Sequence, residues 1–389
     1  MKIRMLLITF VVAAVSCTTP KVDSYELIAS TDSLVFELNP QTSMFIKALF
    51  PYTNKDGREY LTFQNDIKPE ILWYDMSTQE YIKTITLDKE GKNGISSFVG
   101  YYVSSENEIY IPDGSMSIIN VVNEDGIIIR KIPYERTSQG KSTVPFNCLS
   151  FPYTPIYVVN NNFYLPQSPN MALGNSIIED SPVTLLLDTI NNSVTEGELK
   201  FPPVLTSKEV QASNLGVELS YSKCYDGSNF IYSFFFDEDV YVASLNGTLK
   251  NKVKVKSRYI EKVYDGNKMP NDMIQLVQLL NEIPMYGNLI YDEYRQVYYR
   301  FAYPQTELNG GNYMDMWQLG RSKFSIIILD KDLNIIGETF FPENTYASNH
   351  FFIRRDGLYI STSFVKNPHY DDDKLCFRRF DLVRDSKNE

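Results

Sequence analysis

Short apolar runs separated by polar turns fill most of the chain, and one arrangement of them recurs. A polar turn is followed within a few residues by an apolar side chain and then a tyrosine. It stands at Ile109-Tyr110, Phe163-Tyr164, Ile231-Tyr232 and Leu358-Tyr359. Looser copies are Glu59-Tyr60, after Lys55-Asp56-Gly57, and Tyr298-Tyr299. The tyrosines fall at 60, 110, 164, 232, 299 and 359, intervals in the range of propeller blades. Around each, the pattern reads strand, tight turn, strand carrying the tyrosine, variable loop, strand, tight turn, strand. The clearest second half is Phe324–Asp330, turn Lys331-Asp332, then Leu333–Phe341. Runs such as Ile326-Ile327-Ile328 and Leu185-Leu186-Leu187 are apolar on both faces of a strand, as in a sheet covered on both sides.

The sixth repeat stops at a third strand, Cys376–Leu382, and Ser33–Leu38 is the natural donor of the missing fourth. In the outer strand Val253-Lys254-Val255-Lys256, charges guard an edge against pairing with another molecule. Apolar Met273, Leu276, Val277 and Leu280 recur at helical spacing between Pro270 and Pro284, which predicts one short helix over 271–282, capped by Asn271 or Asp272. The segment Pro304–Lys323, with Gly310-Gly311, Tyr313 and Trp317, reads as a loop. The expected fold is all-β: a six-bladed β-propeller whose last blade is closed by an N-terminal strand, with one short helical insertion. The tight turns fall on one face of such a ring. The long connections, including Gln167–Pro182, Pro304–Lys323 and Lys366–Lys374, fall on the other, so that loop-rich face is the expected working face.

Composition changes the picture at the N-terminus and in the choice of partners. An aromatic share of 14%, led by 28 Tyr and 23 Phe, suits strands better than helices. Lys2 and Arg4 followed by apolar Met5–Val15 form a leader too short to span a bilayer. Ala14-Val15-Ser16-Cys17 resembles a bacterial lipobox. The expected organisation is a signal peptide over 1–16, a tether over 17–23 lipidated (palmitate) at Cys17, and one propeller domain over 24–389. Cleavage removes Lys2 and Arg4, moving the formal charge from −11 to −13. So acidic a protein suits neither nucleic acid nor anionic lipid surfaces, and the lipid anchor alone would hold it to a membrane. Cys148, Cys224 and Cys376 are odd in number and lack metal-ligand spacing, and Cys224 and Cys376, inside predicted strands, are expected to be buried free thiols.

Candidate chemistry is sparse. His350 and His369 are the only histidines, which excludes a three-histidine zinc site. His369-Tyr-Asp-Asp-Asp373 offers carboxylates that calcium accepts, although a solvated acidic loop reads the same way. Asp330-Lys-Asp332-Leu-Asn334 lacks the glycine and final glutamate of an EF-hand loop and is a hairpin turn. No glycine-rich phosphate loop, nucleophile elbow or Cys-x-x-Cys occurs. Asp237, Asp239, Asp371 and Asp372 could converge as catalytic carboxylates, but no residue is assigned as catalytic, and neither metal nor cofactor is expected. The expected ligand-binding residues are Trp317 with Tyr313 and Tyr370, flat aromatics that stack on sugars or peptide side chains, and His369 and Asp372 beside them.

The lipobox followed by six tyrosine-marked repeats, with Leu34–Leu38 completing Cys376–Leu382, resembles Bacteroidetes lipoproteins classed as six-bladed propellers of unknown function. That resemblance implies fold and location and carries no catalytic residues across. Surface-exported lipoproteins of that phylum often carry acidic residues just after the lipidated cysteine. Thr18-Thr-Pro-Lys21 has none, which favours the periplasmic side of the envelope, with the outer membrane as anchor. The expected function is non-catalytic binding of a glycan, peptide or protein on the loop-rich face. The alternatives are a polysaccharide-active hydrolase or lyase using funnel carboxylates, and a scaffold subunit of an envelope complex.

Overall fold

The computed structural model describes residues 24–65, 67–113, 116–143, 146–147, 150–169, 180–202, 220–264, 270, 272–308 and 310–384. Strands dominate it. Four antiparallel four-stranded sheets follow one another along the chain. Their strands are Leu49–Thr53, Glu59–Asn65, Glu70–Asp75 and Tyr81–Thr86; then Tyr102–Ser105, Glu108–Asp113, Ile118–Val122 and Ile128–Pro133. Tyr157–Val159, Asn162–Pro166, Thr184–Asp188 and Ser193–Glu196 form the third, and Tyr221–Tyr225, Phe230–Phe234, Asp239–Ala243 and Leu249–Lys254 the fourth. A two-stranded ladder pairs Phe146–Asn147 with Ser168–Pro169, and an eight-stranded sheet completes the set. It holds the quartet Met285–Asp292, Val297–Tyr303, Phe324–Leu329 and Ile335–Phe341, then Tyr25–Glu37, Lys374–Arg384, Gly357–Ser361 and Ala347–Arg354 in spatial order.

The junction inside that large sheet is narrow. Tyr25–Glu37 runs antiparallel to Lys374–Arg384, with Leu34 opposite Phe377 and Val35 opposite Cys376. A bulge separates this stretch from a second one, Tyr25–Ala29 opposite Arg384–Phe380. The N-terminal strand is thus longer than the expected Ser33–Leu38. Its ladder with the fifth quartet is a single parallel pair, Tyr25 with Gly337, to which the Leu27 amide adds a hydrogen bond to Thr339 Oγ1 (2.8 Å). A Cβ at Gly337 would lie 1.9 Å from the Tyr25 carbonyl oxygen, so only glycine permits that approach.

Each recurrent tyrosine sits in the second strand of its quartet and is buried. The ring fills core space, and in four of the repeats the hydroxyl has a polar partner, as a buried phenol favours. The Tyr110 hydroxyl donates to Glu108 (2.7 Å) and that of Tyr359 to Asp356 (2.8 Å). Tyr232 shares a hydrogen bond with Thr184 of the preceding repeat (3.0 Å).

Packing passes from repeat to repeat. Tyr60, Ile71 and Trp73 of the first meet Tyr101, Ile109 and Ile111 of the second. Tyr110 and Ile119 of the second meet Phe163 and Leu185 of the third. One large cluster joins Tyr164, Tyr232, Tyr299, Phe351 and Leu358, running from the third repeat through to the sixth. The sixth returns to the first: Phe352, Tyr359 and Phe377 pack with Phe36, Leu61, Phe63 and Tyr74. Arg354 of the sixth repeat also pairs with Glu59 of the first (2.5 Å).

Among the described residues two helices interrupt the sheets, where one was expected. Met273–Glu282 matches expectation, with the Asp272 carboxylate accepting from the Gln275 amide (2.9 Å) and Leu276, Val277 and Leu280 buried. Met273, expected on its apolar face, is half exposed. The segment Pro304–Lys323 is not wholly a loop, because Tyr313–Leu319 is helical. Asn312 caps it by accepting from Met314 and Asp315, and Met316 and Leu319 are buried against Ala347 and Phe364. Tertiary burial fixes a seven-residue helix that isolated propensity would not.

The hairpin at Asp330 is as expected, its carboxylate accepting from the amides of Asp332 (2.9 Å) and Asn334 (2.8 Å). Lys254 and Lys256 of the guarded edge both reach Glu238, while Val255 between them is buried. Cys224 is a buried free thiol as expected, whereas the free thiol of Cys376 is only half-buried; Cys148 lies outside the described residues.

Candidate functional site

Six repeats contribute to one cavity of about 520 Å³, a size suited to a small organic ligand. Phe45–Lys47 enter it from the link before the first repeat, Val99 from the link before the second, and Phe151–Tyr153 from the link before the third. Phe235 follows the second strand of the fourth, and Asn349 lies on the first strand of the sixth. The fifth repeat supplies most of the wall: Met285, Gly287, Asn288 and Tyr303 from its first two strands, and Met314, Trp317, Gln318, Gly320 and Arg321 from the helix and its end. These are links and second-to-third-strand connections, the expected working side.

The wall is chiefly aromatic and apolar. Phe151 stacks on Tyr153 (5.2 Å between centroids), which tilts against Phe235 (5.7 Å) and so bridges the third and fourth repeats. Trp317 shares the lining with them, half-buried on its helix. That helix is held at its C-terminal end. The Asn349 side-chain amide donates to the carbonyls of Trp317 (3.2 Å) and Gln318 (3.1 Å). Gly320, at φ +105, ends the helix, and a Cβ there would stand 2.2 Å from Ser348 Oγ. Ser348 Oγ also accepts from the Arg321 amide (3.1 Å), and its carbonyl accepts from Asn288 (2.7 Å). The second helix is tied to the first by Asn281, which donates to the Tyr313 carbonyl (3.0 Å).

The polar groups in the lining are amides and cations: Asn288, Gln318, Asn349, Lys47 and Arg321, with the hydroxyls of Tyr153 and Tyr303. Among the described residues the lining holds no Asp, Glu, His, Cys, Ser or Thr. Burial pushes the Tyr303 phenol up to about 12, so it stays protonated at neutral pH.

Of the residues expected to bind ligand, Trp317 alone lines the cavity. Tyr313 sits one turn before it and offers its carbonyl to Asn281. Tyr370 packs against the core between the sixth and first repeats. Burial raises its phenol, as do Asp372, Asp315 and Asp371, which places Tyr370 beside the Trp317 helix. His369 and Asp372 are exposed on the adjoining loop, clear of the cavity lining. The Asp371, Asp372 and Asp373 carboxylates come within 4.8 Å of one another, and Asp371 pairs with Lys374 (3.1 Å). The four carboxylates that might have converged do not meet in the cavity. Asp237 takes the Tyr241 hydroxyl (2.6 Å), and Asp239 pairs with Lys252 (2.7 Å). Sequence reasoning missed the cavity residues Tyr153, Phe235 and Arg321. Nothing local marks them, since they meet only through the closure of six distant segments. Most of Gln167–Pro182 and Cys17 itself lie outside the described residues. A wider depression of about 720 Å³ lies against Tyr259, Lys323 and Phe340 on the outer flank, open to solvent and walled mainly by the fifth repeat and the link before it.

The family model of a domain of unknown function, DUF4221, matches residues 22–340. The chain belongs to this family. A member of DUF4221 from Bacteroides vulgatus is 28% identical, with a TM-score of 0.80 over 94% of this chain and 100% of that one. The resemblance to a Bacteroidetes family of unknown function is thereby borne out. A protein of Bacteroides fragilis named as exported is 10% identical with a TM-score of 0.52, over 93% and 97% of the two chains. Virginiamycin B lyase from Staphylococcus aureus is 9% identical with a TM-score of 0.45, over 90% and 99%. No curated protein matches. In this chain DUF4221 carries an all-β fold of successive four-stranded antiparallel sheets. No described helix is long and apolar enough to cross a membrane.

Proposed function

We propose that this DUF4221 protein is a lipid-anchored, six-bladed propeller of the cell envelope that binds a small ligand in its axial cavity without turning it over. The six quartets are the blades, and Tyr25–Glu37 closes the last. Packing that returns from the sixth quartet to the first supports the ring. The binding reading rests on one observation: a cavity assembled from all six repeats, aromatic in its walls, whose polar groups are amides and cations. Such walls bury a ligand's apolar faces and orient it with a few hydrogen bonds. The polysaccharide-active enzyme would need a carboxylate there, and the described lining offers none.

Trp317 is the anchor, with Tyr153 and Phe235 opposite. Tyr313, Tyr370, His369 and Asp372 belong to the rim, where a larger glycan or peptide would extend. The anchor at Cys17 and the periplasmic side of the outer membrane complete the reading; the lipobox supports the first, and the exported neighbour agrees with passage out of the cytoplasm. Glycan and peptide arrays probed with the full chain test it. Truncating an aromatic anchor typically costs about 2–4 kcal/mol of binding. Trp317→Ala should therefore weaken a hit at least roughly tenfold with an unchanged melting temperature. A large loss of stability with unaltered affinity would make the tryptophan mere packing. Turnover of the hit that vanishes with Asp372→Asn would replace binding by catalysis.

A further inference from the structure

Arg300 and Arg321 are both buried without a paired carboxylate, yet they differ in one respect. Arg300 is satisfied on every side. Its Nε donates to Ser233 Oγ (2.9 Å), Nη1 to the carbonyls of Glu238 (2.8 Å) and Val255 (2.6 Å), and Nη2 to that of Asp237 (2.6 Å). The Tyr286 ring lies 3.6 Å from its centre, and the nearby charges of Asp237, Asp239 and Glu238 favour its cation. Nothing more is needed to keep Arg300 in place.

Arg321 lines the cavity and is incomplete. Nη1 donates to the Leu280 carbonyl and Nη2 to that of Ile283 (2.9 Å), at the C-terminal end of the Met273–Glu282 helix. Its Nε is buried and has no hydrogen-bond partner among the described residues. The Tyr303 ring is 5.6 Å away, and among the described residues Glu282 is the one carboxylate whose charge favours the cation. Burial pushes the guanidinium down to about 9, which leaves it charged at neutral pH. A buried donor on a cation is expensive to leave unmet. Lys47 puts a second positive charge on the same wall, and Gln318 Oε1 is a second buried atom there without a partner.

We infer that Arg321 anchors an anionic group of the ligand, which is a small organic acid with a flat apolar face. The acid's oxygen accepts from Nε, its face lies against Trp317, and a hydroxyl or amine on its body donates to Gln318 Oε1. This rests on the reading of the cavity as a binding site, and the test separates the two. The probes are 8-anilinonaphthalene-1-sulfonate and N-phenyl-1-naphthylamine, which share an aromatic body and differ in the sulfonate. Titrated into the full chain at low salt, the sulfonate should bind at least about tenfold more tightly, as a charge-assisted hydrogen bond provides. Arg321→Gln should abolish that preference, whereas Trp317→Ala should weaken both probes alike. Equal affinity of the two probes for the unaltered chain overturns the anion assignment and leaves the cavity reading standing. Binding of neither, or binding indifferent to Trp317→Ala, removes both. Should Arg321→Gln lose its cooperative melt, a crystal of the unaltered chain with the sulfonate decides. A sulfonate within hydrogen-bond reach of Nε supports the assignment, and one turned to solvent refutes it.

Discussion

Truncating Phe36 to alanine tests how the last quartet is held to the first. Phe36 lies on the N-terminal strand, is 0% exposed, and meets Tyr74 of the first quartet and Phe377 of the sixth edge-on, at 5.6 and 6.1 Å. Its neighbours Leu61, Phe63 and Leu375 are equally buried and belong to rigid strands, so the space left behind cannot collapse easily. Deleting a buried phenyl group costs about 3–5 kcal/mol once the cavity is included. Unfolding entropy of about 2.1 cal/mol/K per residue gives a chain of 389 residues roughly 0.8 kcal/mol/K. Phe36→Ala should therefore lower the melting temperature by about 4–6 °C in circular dichroism scans at a fixed rate. Ile28, on the same strand but 48% exposed, is the control, and Ile28→Ala should shift it by no more than about 1 °C. Equal shifts for the two variants, or a Phe36→Ala melt within a degree of the parent, would show that the strand does not hold this junction. Deleting residues 24–40 should be worse than either, because it also strips the hydrogen bonds of a whole strand edge.

His350 makes stability depend on pH. Burial pushes its imidazole down to about 4, against the Ile46 carbonyl hydrogen bond (2.9 Å), which works the other way. The unfolded side chain, near 6.5, takes up a proton before the folded one does. Stability should therefore fall as pH drops from about 6.5 to about 4, by roughly 3 kcal/mol at the limit. Urea melts of His350→Gln should show that slope flattened. Gly320→Ala forces a side chain onto a positive φ and into Ser348, so it should lower the melting temperature and weaken any ligand that Trp317 binds. The check is the same melt paired with a titration; unchanged affinity would detach the helix end from the site. Cys17→Ser should leave the fold intact and move the protein from the membrane fraction to the soluble one, and intact-mass measurement should find an acylated Cys17 in the parent. An unmodified N-terminus elsewhere would end the lipoprotein reading.

Much of the fold could be read from the residues because the signal was local and repeated. Each Ile-Tyr or Phe-Tyr pair marks a second strand, since the apolar residue and the tyrosine point to opposite buried faces. The donor strand at Leu34 was legible for a different reason, since the sixth repeat was visibly one strand short. The helix at Tyr313–Leu319 was not. Its pattern is too short for periodicity to register, its flanking Gly310-Gly311 signals a turn, and its stability comes from Ala347 and Phe364 far along the chain. Trp317 could be nominated as an exposed-looking aromatic in a long loop. Tyr153, Phe235 and Arg321 could not, because a cavity wall is a product of tertiary closure and leaves no period in the sequence. The same holds for Arg321 and Arg300, which look alike in sequence and differ only in what surrounds each nitrogen.

The pairing of Tyr25–Glu37 with Lys374–Arg384 also sets an order of events in time. The Arg378 guanidinium and the Ser30 carbonyl that accepts from it are 348 residues apart in sequence. Contacts of such separation form late, because the intervening chain must first be gathered. Until Lys374–Arg384 has been synthesised and delivered, the earliest strand waits with its edge open, a template for any other unpaired strand nearby. Slow delivery of the last quartet, more than weakness of any one contact, is then the step at which this molecule is exposed to aggregation.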